Sequence, residues 1–199
     1  MPQTIAIGDV HGSYSALLGV IKPLIDSGAE LVFLGDLFDR APEPDGDRLV
    51  LEFVRELQDR PEDYGLANVE VLMGNHENLL LEAIRDDDWS LWTMNGGDAN
   101  FAHWLIENPS HLEWLAERPL YLIRDNHLLV HAGVRPGLKL DQQDPFDLMW
   151  IRDDPYKPHK LPYTIVYGHT IHPDVTVYKD RVAIDTGAFH TGKLSTYSL

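Results

Sequence analysis

Five short polar clusters stand in this chain at points where an apolar run stops. Ile5-Ala6-Ile7 runs into Gly8-Asp9-Val10-His11-Gly12. Residues 31–34 run into Gly35-Asp36-Leu37-Phe38-Asp39-Arg40, and residues 69–73 into Gly74-Asn75-His76-Glu77. Residues 128–130 run into His131-Ala132-Gly133, and residues 165–167 into Gly168-His169-Thr170. Asp9, His11, Asp36, Asn75, His131 and His169 are hard-oxygen and imidazole donors, a set that suits Mn, Fe or Zn. The chain has no cysteine, which argues against a structural zinc and excludes a thiol nucleophile. Six donors are too many for one catalytic ion that must keep open positions. They fit two divalent ions about 3.5–4 Å apart, bridged by one carboxylate. Each cluster taken alone reads as an ordinary turn. Five of them in this order, all able to ligate, favour the metal reading.

The elements that must position these residues follow from the apolar spacing. Short apolar runs alternate with longer stretches of helical period, the pattern of an α/β domain. Residues 14–26 and 47–59 read as helices, the first with Ser13 as its N-cap. Residues 79–115 hold four of the five tryptophans and read as several short helices. Asn95-Gly96-Gly97-Asp98 interrupts them and Pro109 opens the last. Their aromatics read as the packing of a helical subdomain, with one edge as an alternative substrate-facing wall. Strand signals then return at residues 120–124, 127–130, 164–167, 175–178, 182–184 and 194–198. In α/β folds, ligands sit outside the carboxyl ends of strands, so five strand-end clusters can share one site.

Composition narrows the function. A chain of 199 residues suits one domain with a substantial core. A net charge of −16 repels polyanions, so nucleic acid is not an expected partner. No apolar run reaches the ~20 residues that span a membrane. Without a secretory signal at the start, a cytoplasmic location is expected.

The ordered set resembles the signature blocks of the phosphoprotein phosphatase (PPP) family of metallophosphoesterases. The resemblance rests on Gly8-Asp9-Val10-His11-Gly12, the Gly35–Arg40 block, Gly74-Asn75-His76-Glu77, His131-Ala132-Gly133 and Gly168-His169. It extends from about residue 5 through nearly all of the chain. Leu148-Met149-Trp150-Ile151-Arg152-Asp153, Ile184-Asp185-Thr186-Gly187-Ala188 and Trp92 with residues 95–98 make it most similar to the compact bacterial and phage members. The resemblance implies a calcineurin-like metallophosphoesterase fold: a central β-sandwich of two sheets flanked by helices. It implies one domain over residues 1–199 with a helical subdomain at about 79–118. In site terms it implies Asp9 and His11 on a first metal, Asp36 bridging, and Asn75, His131 and His169 on a second. His76 would be the general acid held by Asp39, and Arg40 and Arg152 would clamp the phosphate. Two divalent ions, Mn2+ first with Fe or Zn as alternatives, are the implied cofactors. A water between two cations loses a proton near neutral pH and becomes a nucleophile in place.

The implied activity is hydrolysis of phosphoserine or phosphothreonine in proteins, extending to phosphotyrosine. One alternative is symmetrical hydrolysis of diadenosine tetraphosphate; Glu77 stands where that branch more often has Asp. A non-catalytic binding module is a third reading, opposed by the full set of ligands. Ala41 replaces a glycine of the family block, which puts the conformation of the loop after Arg40 in question. Asp185, at a strand end, is an expected orienting group for a ligand or an arginine.

Overall fold

The computed structural model describes residues 2–152 and 154–199. The first half alternates strand and helix: β1 (Thr4–Ile7), α1 (Tyr14–Ile21), β2 (Glu30–Phe33), α2 (Gly46–Asp59) and β3 (Asn68–Val71). Four helices follow: α3 (Asn75–Asp86), α4 (Ser90–Met94), α5 (Ala99–Glu107) and α6 (Pro109–Ala116). The second half holds β4 (Tyr121–Arg124), β5 (His127–Val130), α7 (Pro145–Trp150), β6 (Thr164–Tyr167), β7 (Thr176–Val177), β8 (Arg181–Ala183), α8 (Ala188–Thr191) and β9 (Thr196–Ser198).

Two mixed sheets result, with strand orders β3-β2-β1-β9 and β4-β5-β6-β8-β7. In the first, β1 pairs parallel with β2 and β2 with β3, while β9 runs antiparallel to β1. In the second, β5, β6 and β8 are parallel, and β4 and β7 run antiparallel at the edges. The period of two sorts side chains between layers. Ala6, Val32, Leu34, Leu129, Val166 and Val182 meet between the sheets. Ile5, Ile7, Leu31 and Phe33 face the other way, against helical residues such as Leu17, Val50, Val54, Leu80 and Leu105. Leu128, Val130, Ile165 and Tyr167 pack outward with Leu148 and Val134. The strands read as continuous apolar runs because both of their faces are covered.

Three expectations change. The helix begun at Tyr14 ends at Ile21 and passes into a 3₁₀ turn over Lys22–Leu24. Pro23 supplies no N–H and cannot continue the α-helical ladder. Ser13 occupies the N-cap position of α1 but makes no side-chain cap bond; its hydroxyl lies 3.4 Å from the His11 carbonyl instead. The helical region opens at Asn75 rather than 79, so the Gly74-Asn75-His76-Glu77 cluster is itself the entry to α3. Helix α7 was not expected, although Asp144-Pro145 is a start signal: Asp144 accepts from the Phe146 N–H at 2.9 Å. No helix among the described residues is long and apolar enough to cross a membrane.

Candidate metal centre

Every parallel strand delivers its carboxyl end to one region. Asp9 follows β1, Asp36 follows β2 and Asn75 follows β3. His131 follows β5, His169 follows β6 and Asp185 follows β8. Asp9, His11, Asp36, Asn75, His131 and His169 are all buried, as are His76 and Asp39. A cavity of about 240 Å³ opens among them, lined by His11, Asp36, Asn75, His76 and His169, with Arg40 and Arg152 also in its wall. Arg152 is exposed, Arg40 is half-buried, and Asp153 lies outside the described residues.

Close packing at the strand ends depends on glycine. A Cβ at Gly168 would overlap Asp9 Oδ1. Gly35 has φ +98°, and a Cβ there would stand 2.5 Å from the Gly74 backbone nitrogen. Several ligand candidates adopt the left-handed region without being glycine: His11 at φ 45°, Asp36 at 51° and His169 at 61°. Asp39 and Arg40, at 69° and 63°, do the same. Such backbone costs roughly 1–2 kcal/mol per residue and persists where the surroundings over-determine it. The Ala41 question is answered by this distribution. The positive φ falls on Asp39 and Arg40, and Ala41 is not among the left-handed residues.

The imidazoles are oriented by carbonyls. His11 Nδ1 donates to the Phe38 carbonyl at 2.9 Å, which turns its Nε2 toward Asp36 Oδ2 at 3.5 Å. His131 Nδ1 donates to the Leu34 carbonyl at 2.9 Å, and its Nε2 stands 3.4 Å from the same Asp36 oxygen. His131 Nε2 and His169 Nδ1 lie 2.9 and 2.8 Å from Asn75 Oδ1. A carbonyl that fixes one ring nitrogen and frees the other is the usual support of a ligating histidine. Two groups of buried donors therefore meet at Asp36, one with His11 and His76, the other with His131 and His169. Asp9 stands behind them: its Oδ2 accepts from the His169 N–H at 2.9 Å, and its Oδ1 is buried with no hydrogen-bond partner among the described residues.

His76 is placed differently from the other imidazoles. Its backbone N–H donates to Asp36 Oδ1 at 3.0 Å. Its Nδ1 donates to Asp39 Oδ2 at 2.6 Å, with both groups nearly inaccessible to solvent. Burial opposes its charge, but Asp36 and Asp39 prevail and hold His76 above the usual imidazole range. It is thus a donor aimed at the cavity rather than a free lone pair. Burial drives His11 down to about 3, with His76 and Arg40 pushing the same way. His169 is also driven to about 3, by burial and by the charge on His131. Burial opposes the charge on His131 too, yet Asp36 lifts it to about 10. Asp36 stays well below the carboxylate range despite burial, because His131, His76 and His11 surround it. Burial and the nearby Asp185 and Asp36 push Asp9 well above that range. Crowded carboxylates and imidazoles with such opposed shifts are what a divalent cation would relieve.

The contacts of some site residues were not read from the sequence, and Phe189 was not singled out at all. Glu77 accepts the N–H groups of Asp36, Leu37 and Gly74 at 2.8–3.0 Å, pinning the β2 loop to the start of α3. Phe189 sits edge-on to His11 at 5.4 Å and carries the Arg40 guanidinium over its face at 5.4 Å. Trp150 stands edge-on to His169 at 5.9 Å. No motif announces Phe189; its signal was proximity to the Asp185 strand end. Asp185 itself is buried, lines the cavity, and accepts from the Gly187 N–H at 2.8 Å.

Two sheets that direct carboxylate, amide and imidazole side chains into one buried cluster, with two arginines at the rim, define a metal-using phosphoesterase. The chain belongs to the calcineurin-like phosphoesterase family, whose model matches residues 3–193. It is 28% identical to serine/threonine-protein phosphatase 2 of Salmonella typhimurium, over 97% of this chain and 91% of that protein. It is 34% identical to a symmetrical bis(5'-nucleosyl)-tetraphosphatase of Janthinobacterium sp., over 67% of this chain but 44% of that protein. Among solved structures it is similar to a cold-active protein-tyrosine phosphatase of a psychrophilic Shewanella, with TM-score 0.71 and 20% identity, covering 98% of this chain and 75% of that one.

Proposed function

We propose that this chain is a dinuclear-metal phosphomonoesterase that removes phosphate from phosphoserine and phosphothreonine in proteins. The observation that carries the reading is the sharing of Asp36 between two buried donor groups, with His76 of the first group bound through Nδ1 to Asp39 at 2.6 Å and so read as a proton donor beside the ions, Asp9 taking its place as ligand. The donor set fits divalent ions: nitrogen and oxygen without thiolate, preset ring tautomers, and an orphaned buried oxygen on Asp9. Asp9 and His11 would hold one ion, Asn75, His131 and His169 the other, and Asp36 both, with Mn2+ the first expectation and Fe or Zn next. Bound there, two such ions supply Lewis acidity toward phosphoryl oxygens and lower the pKa of water.

The chain's own residues do the rest. Arg40 and Arg152 hold the phosphate oxygens, Arg40 with its Nε on the Asn95 carbonyl at 3.0 Å and its guanidinium over Phe189. The P–O bond to the serine or threonine oxygen breaks as a water oxygen bonds to phosphorus and gives up one proton to solvent. His76 gives its Nε2 proton to the departing alkoxide. Asp39 keeps that imidazole charged and in line, a contribution of about 10²–10⁴ in rate for a positioned general acid. Similarity to serine/threonine phosphatases is consistent with a protein substrate, although nucleosyl tetraphosphatases match over comparable lengths. Symmetrical cleavage of diadenosine tetraphosphate is the second reading, favoured by the higher identity to the Janthinobacterium protein.

The deciding experiment compares kcat/KM on a phosphoserine peptide, diadenosine tetraphosphate and p-nitrophenyl phosphate, with Mn2+ and after EDTA. The peptide is expected to be the best physiological substrate, with all turnover lost on chelation. Preferred cleavage of the dinucleotide would replace the first reading with the second. Absence of turnover on all three, with metal bound, would remove both.

A further inference from the structure

Behind the His76–Asp39 pair, two polar atoms are buried with no completed hydrogen bond among the described residues: Asp39 Oδ1 and Trp92 Nε1. Asp39 is fully buried and Trp92 is 1% exposed. The rest of Asp39 is tied down. Its Oδ2 accepts from His76 Nδ1 at 2.6 Å, and its backbone N–H donates to the Asp47 carboxylate. Burial pushes the Asp39 carboxyl up, while His76 and the Trp92 indole N–H draw it back down. The two orphaned atoms thus answer one another. The indole is also prevented from turning away. Gly97 lies flat on it, so that a Cβ there would overlap the ring, and Trp89 meets it edge-on at 5.7 Å. The Gly97 N–H donates back to the Trp92 carbonyl at 3.2 Å, and the Gly96 carbonyl accepts from the Arg40 N–H at 3.1 Å. On its outer side the Gly96-Gly97 turn borders a cavity of about 720 Å³ that Asp47 and Trp104 also line, so its support comes from the Trp92 side.

We propose that Trp92 is a positioning residue for the proton transfer: its indole N–H holds the free oxygen of Asp39, keeps the carboxylate turned to His76 Nδ1, and so aims the His76 Nε2 proton at the departing oxygen. The inference rests on the reading of His76 as general acid given above. Packing alone would be met by an apolar ring or a leucine. An indole sets an N–H among apolar groups, a cost that only an acceptor removes. The torsion that turns a carboxylate about its own axis is soft, so a bond to one oxygen alone leaves the group free to swing. A donor on each oxygen fixes it. Trp92 stands in the helical subdomain, and the turn that covers its ring also holds Arg40. The acid and one phosphate clamp are thereby set by the same few residues.

Leaving-group dependence separates positioning from packing. A serine alkoxide needs the proton, whereas p-nitrophenolate departs without it. In the Mn2+-loaded protein, Trp92→Phe should lower kcat on a phosphoserine peptide about tenfold, a part of what a general acid supplies, and KM should stay the same. The loss on p-nitrophenyl phosphate should be several times smaller. Because Trp92 is core, a second replacement keeps its shape: benzothienylalanine, introduced at position 92 by stop-codon suppression, has sulfur in place of the N–H and should show the same selective loss. Equal losses on both substrates with that analogue would make Trp92 a packing residue and overturn the inference. A spectroscopic reading needs no turnover. In the 1H–15N spectrum of the Zn2+-loaded protein, Trp92→Phe identifies one indole cross-peak, and Asp39→Asn should move that peak upfield as a charged acceptor becomes neutral. A peak indifferent to Asp39→Asn would also overturn the inference. His76→Asn is the comparator. If it loses both substrates equally while the Trp92 peak still responds to Asp39→Asn, the hold of Trp92 on Asp39 is supported and the general-acid reading is rejected instead.

Discussion

The roles of single residues divide by what their partners leave free. His76 has spent Nδ1 on Asp39, so the proton it can give away is on Nε2. His76→Asn is therefore expected to lower kcat by about 10²–10⁴ while two equivalents of Mn2+ still bind, measured by elemental analysis beside steady-state kinetics. Loss of the metal in that variant would show that His76 is a ligand. Asp47 carries a pH signature of its own. Burial and the charge of Asp39 push its carboxyl from 3.8 up to about 7. A carboxyl raised in the folded state stabilises fully below its unfolded pKa, and that contribution is lost as pH rises through the folded value. Between pH 4 and 7, His11 and His169, both depressed, act with the opposite sign. Comparison with Asp47→Asn isolates the one group. The metal-free variant should gain stability relative to wild type from pH 5 to pH 8, by on the order of 1 kcal/mol in urea denaturation. Parallel stability profiles would mean that Asp47 does not titrate in that window.

At the scale of elements, the site depends on loops being locked to one another. Glu77, in the first turn of α3, accepts three buried N–H groups from two other strand ends. Glu77→Gln replaces one accepting oxygen by a donor that faces N–H groups. The expected cost is about 1–3 kcal/mol in urea denaturation, together with weaker metal binding because Asp36 is no longer held. A change within ~0.5 kcal/mol, the range of neutral surface substitutions, would place the locking elsewhere. The strand ends were legible in the sequence because apolar runs stop abruptly at glycines, and because β1, β2, β5 and β6 are buried on both faces. The left-handed backbone at Asp39 and Arg40 was not legible: it is imposed by packing against the Gly96 turn, whose carbonyl accepts from the Arg40 N–H at 3.1 Å. Nor was the cavity around Asp47, whose walls come from segments about fifty residues apart with no shared motif. Trp92 and Trp114 are core, whereas Trp104 walls a cavity.

For the whole molecule, the centre is a store of electrostatic tension in a chain already carrying −16. A ligand that binds only the folded state stabilises by RT ln(1 + [L]/Kd), about 2.7 kcal/mol at a hundred times Kd. Saturating Mn2+ should accordingly raise the Tm by roughly 5–10 °C for a domain of this size, and EDTA should reverse it. A Tm indifferent to Mn2+ would mean that no ion is held by the folded state. The arrangement of the first sheet adds a matter of timing. Ile5 in β1 lies opposite Ser198 in β9, and the Gly8 N–H donates to the Ser195 carbonyl at 3.1 Å. During synthesis on the ribosome, β1, β2 and β3 can assemble long before β9 emerges. The outer edge of β1 then remains open to strands of other nascent chains, and the loop that carries Asp9 lacks its anchor. Seating of the Asp9 loop is thus a late event in the life of each molecule, coupled to the arrival of residues remote in sequence from it.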